Sequence, residues 1–397
     1  MMRDDALRLV LAGLVAMAAA LGIGRFVYTP ILPAMAEALS LSKSQAGLIA
    51  SANFLGYLAG ALLAALPWFA STRRTLLLSL AVNAAALAGM GLTTDLRLHL
   101  LLRLIGGLAS AFVLVLASVM VLERLNAAGR GGLAALHFGG VGLGIAASSV
   151  VVAVLHAAGA GWDVFWLASG LVSLAALGAV AALMPDMEAA TVAGKAAGGN
   201  GRSAALYALV AAYGLFGFGY VITATFIVAI VRGTPEIATL EPYIWAVVGL
   251  SGAPSVAVWL RAARGIGVLP AFGAACVVEA AGVLSSSLWV SAAGILVAAV
   301  FLGGTFMAIT ALGLMAARNL AAGSADRSIA WMTAAFGVGQ IIGPSFAGLL
   351  FDQTGSFLLP SLAAAAALAL AAALAAYAQA WRAAMARSHR LSERPAP

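Results

Sequence analysis

Arg25 lies near the middle of the first long apolar stretch, in the run Gly22-Ile23-Gly24-Arg25-Phe26-Val27-Tyr28-Thr29-Pro30, and every other residue from Leu9 to Leu32 is uncharged. A guanidinium cannot shed its proton, so inside hydrocarbon it must find water, a partner or a ligand. Arg at the centre of a spanning helix costs roughly 2.5–3.5 kcal/mol on insertion scales. A charge kept at that cost marks a site that handles a substrate or ion, or a donor for carbonyls freed near Pro30. Helical spacing groups Arg25 with Gly22, Tyr28 and Thr29 on one face. Pro30 and Pro33 follow and predict a break just beyond the charge.

Other apolar stretches carry polar or aromatic stripes at the same spacing. Arg103 shares a face with Gly107, Ser110 and Ser118, and its closeness to the end of its stretch allows either a site role or snorkelling to the interface. Tyr213, Phe216, Tyr220 and Thr223 form a second stripe, and Gly303, Phe306 and Thr310 a third. These read as cavity lining or as ordinary packing. Glu279 is the sole carboxylate well inside an apolar stretch, so it is a proton site, a paired group or a neutral acid facing lipid. His137 can titrate near neutral pH or stand passively at the interface. The lone Cys276 and the scattered His99, His137, His156 and His389 lack metal-ligand spacing, so no metal and no cofactor are implied. Gly142-x-Gly144-x-x-Ala147 imitates a dinucleotide fingerprint but follows no strand. No nucleophile–His arrangement or acid–base pair points to an enzyme.

The elements that carry these residues read as membrane helices. Hydrophobic residues make up 63% of the 397, charged residues 9%, and the mean hydropathy is +1.06; soluble domains carry about 25% charged residues. Stretches of about 20 apolar residues cross a bilayer as helix, and twelve are found, near 9–36, 45–67, 75–93, 98–122, 133–156, 162–184, 204–231, 242–260, 266–287, 290–316, 329–351 and 357–380. A polar Ala/Gly/Thr-rich linker at 185–203 separates six spans in residues 1–184 from six in 204–381, and a basic tail covers 382–397. Arg3 and the small residues at Ala16–Ala20 imitate a signal peptide, but Asp4, Asp5 and the continuing apolar run read as a retained first span. Placing both termini in the cytoplasm puts 16 of the 21 Lys and Arg inside and 3 outside. The net charge of +7 is thereby topology, and no nucleic acid is implied.

The halves look duplicated. Gly22-Ile23-Gly24 aligns with Gly217-Phe218-Gly219 at an offset of 195, while Gly106-Gly107 with Gly303-Gly304 and Gly140-Val141-Gly142 with Gly337-Val338-Gly339 align at 197. Two parallel six-helix repeats suit a transporter with substrate held near the midplane. The small-residue runs Gly140-x-x-x-Gly144 and Gly339-x-x-x-Gly343 predict close helix contacts. On these features the chain resembles the major facilitator superfamily, and Gly22–Pro33 with Gly217-Phe218-Gly219-Tyr220 is similar to its YbfB/YjiJ-type branch. Arg103-Leu104-Ile105-Gly106-Gly107 is similar to the superfamily's Arg-x-x-Gln-Gly motif, with Gly106 in place of Gln. Of the loop motif after the second span, only Arg73-Arg74 remains, and the proline-containing antiporter signature is absent at Gly142–Ala147.

The resemblance implies an all-α membrane protein, a cavity lined by the first, fourth, seventh and tenth spans, and a monomer in the bacterial inner membrane. It also implies proton coupling, with Glu279 and His137 as candidates. The expected substrate is a small organic anion, a carboxylate, because the cavity stripes carry arginine and no acid. Its expected contacts are Arg25, Tyr28, Thr29, Arg103, Tyr213, Phe216, Tyr220, Thr223, Phe306 and Thr310. The alternative is proton-driven efflux of amphipathic drugs or toxic metabolites.

Overall fold

A computed structural model describes residues 3–64, 66, 72–185, 204–321 and 325–392 of the chain. Most of the expected linker (185–203) and the last five residues of the tail lie outside them. The described residues form helices joined by short links, with no strand. In order they are α1 (Arg3–Met17), a π turn (Ala18–Ile23), α2 (Tyr28–Ala38), α3 (Lys43–Ala64), α4 (Arg73–Met90), α5 (Leu96–Ala127), α6 (Ala134–Ala157) and α7 (Trp162–Leu183). Then come α8 (Ala204–Arg232), α9 (Glu241–Ile266), α10 (Val268–Leu288), α11 (Ala292–Leu320), α12 (Ala325–Thr354) and α13 (Leu358–Ser392). Side-chain caps start several: Thr72 accepts from the Thr75 amide, Asp95 from Arg97 and Leu98, and Ser291 from Gly294. Only Gly267, at φ 94°, separates α9 from α10, a backbone region that side chains disfavour.

Eleven helical stretches are long and apolar enough to cross a membrane, with α1 through α2 counted as one. The third expected span, α4, falls outside this set. It has 18 residues and opens on Arg73 and Arg74, and Arg73 donates to the carbonyls of Ala181 and Met184 on and after α7 (2.5 and 2.8 Å). The last helix runs past the expected boundary at 381 to Ser392, so the basic segment begins as helix.

Packing pairs recur six spans apart. α3 packs on α5 as α9 packs on α11; α4 packs on α5 and α7 as α10 packs on α11 and α13; the first crossing packs on α6 as α8 packs on α12. Two further pairings, α3 on α12 and α6 on α9, join the first group of helices to the second. Glycines stand at close approaches in several of these contacts, among them the pairs expected from the sequence. A Cβ on Gly140 would press on the Leu14 backbone, one on Gly144 on Ala18, and one on Gly339 on Gly214 and Phe218. In a bilayer, close approach and van der Waals contact do the work that hydrophobic burial does in water.

The break in the first crossing differs from its expected place. α2 continues through Pro30 and Pro33, and the irregular turns are Ala18–Val27, before and around the charge. There the Gly24 amide reaches back to the Ala19 carbonyl (2.8 Å) and Phe26 to Leu21 (3.1 Å), five residues rather than four. Pro30 sits in the first turn of α2, where a missing N–H costs little. Gly24 permits the wide turn, because the Asn83 side chain occupies the space a Cβ would need.

Candidate functional site

The break delivers Arg25 into the centre of the bundle. Its side chain is buried, and its guanidinium carbon lies 4.1 Å from the centroid of the Tyr57 ring, 4.6 Å from Phe54 and 5.3 Å from Phe26. Such cation–π contacts lower the cost of a desolvated guanidinium without using its N–H groups. Among the described residues, Nε and Nη2 have no hydrogen-bond partner. Those two nitrogens form one edge of the guanidinium, the edge that meets both oxygens of a carboxylate side-on.

Arg103 is placed differently. Its Nη1 donates to the Gly24 carbonyl (3.2 Å) and its Nη2 to the Arg25 carbonyl (3.1 Å). It thus satisfies carbonyls that the broken helix leaves open, the structural role considered for Arg25. Asn53 donates to the Arg103 carbonyl (2.9 Å) and Asn83 to that of Gly106 (3.1 Å), which ties α3, α4 and α5 around the break. Tyr28 donates to the Ala46 carbonyl (2.8 Å), and its ring centroid lies 5.1 Å from the Arg103 guanidinium carbon. Thr29 donates to the Ala224 carbonyl on α8 (2.7 Å), the residue 195 positions later that matches it in the repeat.

The facing helices supply an aromatic wall. Phe26 meets Phe306 edge-on at 5.8 Å and Trp245 at 6.4 Å. Tyr220 stacks with Phe216 (5.0 Å), Phe306 (6.0 Å) and Phe336 (5.9 Å), and Tyr213 stacks with Phe336 at 5.0 Å. Tyr213 donates to the Thr310 carbonyl (3.2 Å), while the Thr310 hydroxyl donates to Phe306 (2.9 Å). The Thr223 hydroxyl is buried without a partner among the described residues. Sequence reasoning missed Phe54 and Tyr57 on α3, Trp245 on α9, and Phe336 and Gln340 on α12. The available signal was aromatic and amide residues at i, i+4 within apolar spans, Asn53 with Tyr57 and Phe336 with Gln340.

The proton candidates differ in their surroundings. Glu279 is fully buried on α10, and neither carboxylate oxygen has a partner among the described residues. Thr305, beside it on α11, donates its own hydroxyl to Phe301. His137 is fully buried: its Nε2 lies 3.2 Å from the Ser118 hydroxyl, its Nδ1 faces Gly13, and its ring meets Phe138 at 5.0 Å.

One end of the bundle is tied shut across the two groups of helices. Asp352, at the end of α12, accepts from the amides of Lys43 (3.0 Å) and Ser44 (2.9 Å) and from the Ser44 hydroxyl, capping α3 from another chain segment. Arg232 on α8 pairs with Glu37 on α2 (3.3 Å) and Glu241 on α9 (3.6 Å). Lower on the same seam, Ser51 donates to the Ile341 carbonyl (2.6 Å).

No curated protein sequence matches the chain. Among solved structures it is similar to the crystal structure of a point mutant of the nucleoside transporter NupG, with 14% identity over 95% of this chain and 99% of that one, at a TM-score of 0.72. A second crystal structure of NupG matches with 15% identity over 96% and 99%, at 0.66. At such identity the likeness establishes the fold alone. A family model described as "Uncharacterised MFS-type transporter YbfB" matches residues 17–376, nearly all the helical chain, and the protein therefore belongs to this YbfB-type family of major facilitator superfamily transporters.

Proposed function

We propose that the protein is a secondary transporter of a small organic carboxylate, coupled to protons and working by alternating access between its two six-helix halves. In this reading α4 is the twelfth crossing, residues 1–184 and 204–381 are the halves, and both termini lie in the cytoplasm of a bacterial cell. The protein works as a monomer. One observation carries the substrate class: a buried arginine in an aromatic cage whose side-on edge, Nε with Nη2, has no partner among the described residues. The middle stretches of the first crossing, α5, α8 and α11 hold no carboxylate that could neutralise it or attract a cationic substrate.

Arg25 then holds the carboxylate, and Tyr220, Phe216, Tyr213 and Phe306 flank the rest of the substrate. Arg103, Tyr28 and Thr29 hold the break that aims Arg25. Glu279 is the favoured proton carrier, because it is a fully buried carboxylate with no hydrogen-bond partner among the described residues. The same group supports a second reading, proton-driven efflux of amphipathic compounds through the aromatic wall.

A thermal-shift screen of the purified protein against organic acids and cationic drugs at two pH values separates the readings. Ligand stabilisation follows RT ln(1 + [L]/Kd), so millimolar binders register at high concentration. Carboxylates that stabilise the protein, and lose this effect in Arg25→Gln, support the first. Stabilisation by cationic drugs alone refutes it.

A further inference from the structure

A second polar group, on α12, adjoins the aromatic wall at Tyr220. Gln340 is fully buried, its amide nitrogen donates to the Tyr220 hydroxyl, and its Oε1 has no partner among the described residues. Its depth is fixed by the α3–α12 seam. Ser51 bonds Ile341 at one side of it, and Leu58 packs on Gly337 at the other. That places Gln340 level with Phe54, whose ring lies 4.6 Å from the Arg25 guanidinium carbon. The Tyr220 hydroxyl accepts from Gln340 and keeps its own proton to donate. On the α9 side, Trp245 is buried against Phe26 at 6.4 Å, and its Nε1–H also has no partner among the described residues.

Unpaired buried polar atoms are costly, and they are tolerated where a ligand completes them. The set needs a group that accepts from an O–H or indole N–H and donates to an amide oxygen. A hydroxyl does both, and it serves either orientation of the Gln340 amide. An ammonium cannot accept, and it would stand in the field of Arg25. A bare hydrocarbon would leave the amide unsatisfied.

We propose that the substrate is a hydroxycarboxylate, with its carboxylate on Arg25 and its hydroxyl read by Gln340 and Tyr220; this rests on the carboxylate reading above. A site built to hydrogen-bond a hydroxyl discriminates strongly against the analogue that lacks it.

The test uses matched acids, lactate against propionate and 3-phenyllactate against 3-phenylpropanoate, titrated into the purified full chain with thermal shift or calorimetry as readout. The hydroxy member of at least one pair is expected to bind about tenfold more tightly or better. Gln340→Leu, and independently Tyr220→Phe, which keeps the ring stack, are expected to shrink that ratio toward one. Arg25→Gln is expected to abolish binding of both members. Equal binding of both members in the parent, or a ratio unchanged in both variants, overturns the hydroxyl assignment and leaves the carboxylate reading standing. Binding of neither member in any pair overturns both.

Discussion

Replacing Arg103 by methionine tests how the charge at the centre is positioned. Arg103 is buried and supplies two charge-assisted hydrogen bonds, to the carbonyls of Gly24 (3.2 Å) and Arg25 (3.1 Å). Hydrogen bonds to a charged group contribute about 1.5–3 kcal/mol each, so roughly 3–6 kcal/mol is lost. Removing the guanidinium also removes its own burial cost, which offsets part and leaves roughly 2–4 kcal/mol of destabilisation. The carbonyls belong to the residue that carries the anchor and the one before it, so the Arg25 backbone loses its fixed position as well. Thermal melting in detergent should show a lower midpoint, and titration with a carboxylate that binds the parent should show weaker affinity. Arg103→Lys should fall between, since a point charge cannot span two carbonyls with the geometry of a fork. A methionine variant that melts and binds like the parent would refute the claim that Arg103 props the break.

Other outcomes follow from the same geometry. Asp352→Ala removes the trans cap on α3, a contact typically amounting to about 1 kcal/mol, and should shift spin-label distances across the α3–α12 end toward an open population; unchanged distances would remove Asp352 from the gate. Gly142→Val places side-chain carbon against the Gly249 carbonyl oxygen, which already lies 2.5 Å from an added Cβ; it should block transport in reconstituted vesicles, and full activity would show that α6 and α9 need not approach so closely. Glu279→Gln should retain carboxylate binding while losing acceleration by a proton gradient; gradient-driven uptake at the parent's rate would exclude Glu279 as the carrier.

The sequence made the local features legible. Small-residue spacing at Gly140, Gly144, Gly339 and Gly343 predicted contacts that the helices make, because close approach needs only a missing side chain. The aromatic stripe on α8 was visible as periodicity, and its rings do stack with Phe306 and Phe336. What stayed hidden depends on partners far along the chain. Gln340 meets Tyr220 from 120 residues away, and Ser51 meets Ile341 from 290, so no local pattern announces either. The break was misplaced because proline is a conspicuous signal. The actual device is a wide turn made possible by Gly24 and an arginine from α5. Arg25 and Arg103 look alike as lone charges in apolar runs. Only their surroundings distinguish the donor already bound to carbonyls from the one with a free edge.

That free edge is the centre of the account. Calorimetric titration of an organic acid that stabilises the parent, repeated with Arg25→Lys and Arg25→Gln, tests it most directly. Loss of a bidentate, charge-assisted contact should weaken binding by about tenfold or more in Arg25→Lys and eliminate it in Arg25→Gln, with both variants folded by melting. Affinity in Arg25→Gln equal to that of the parent would contradict the account.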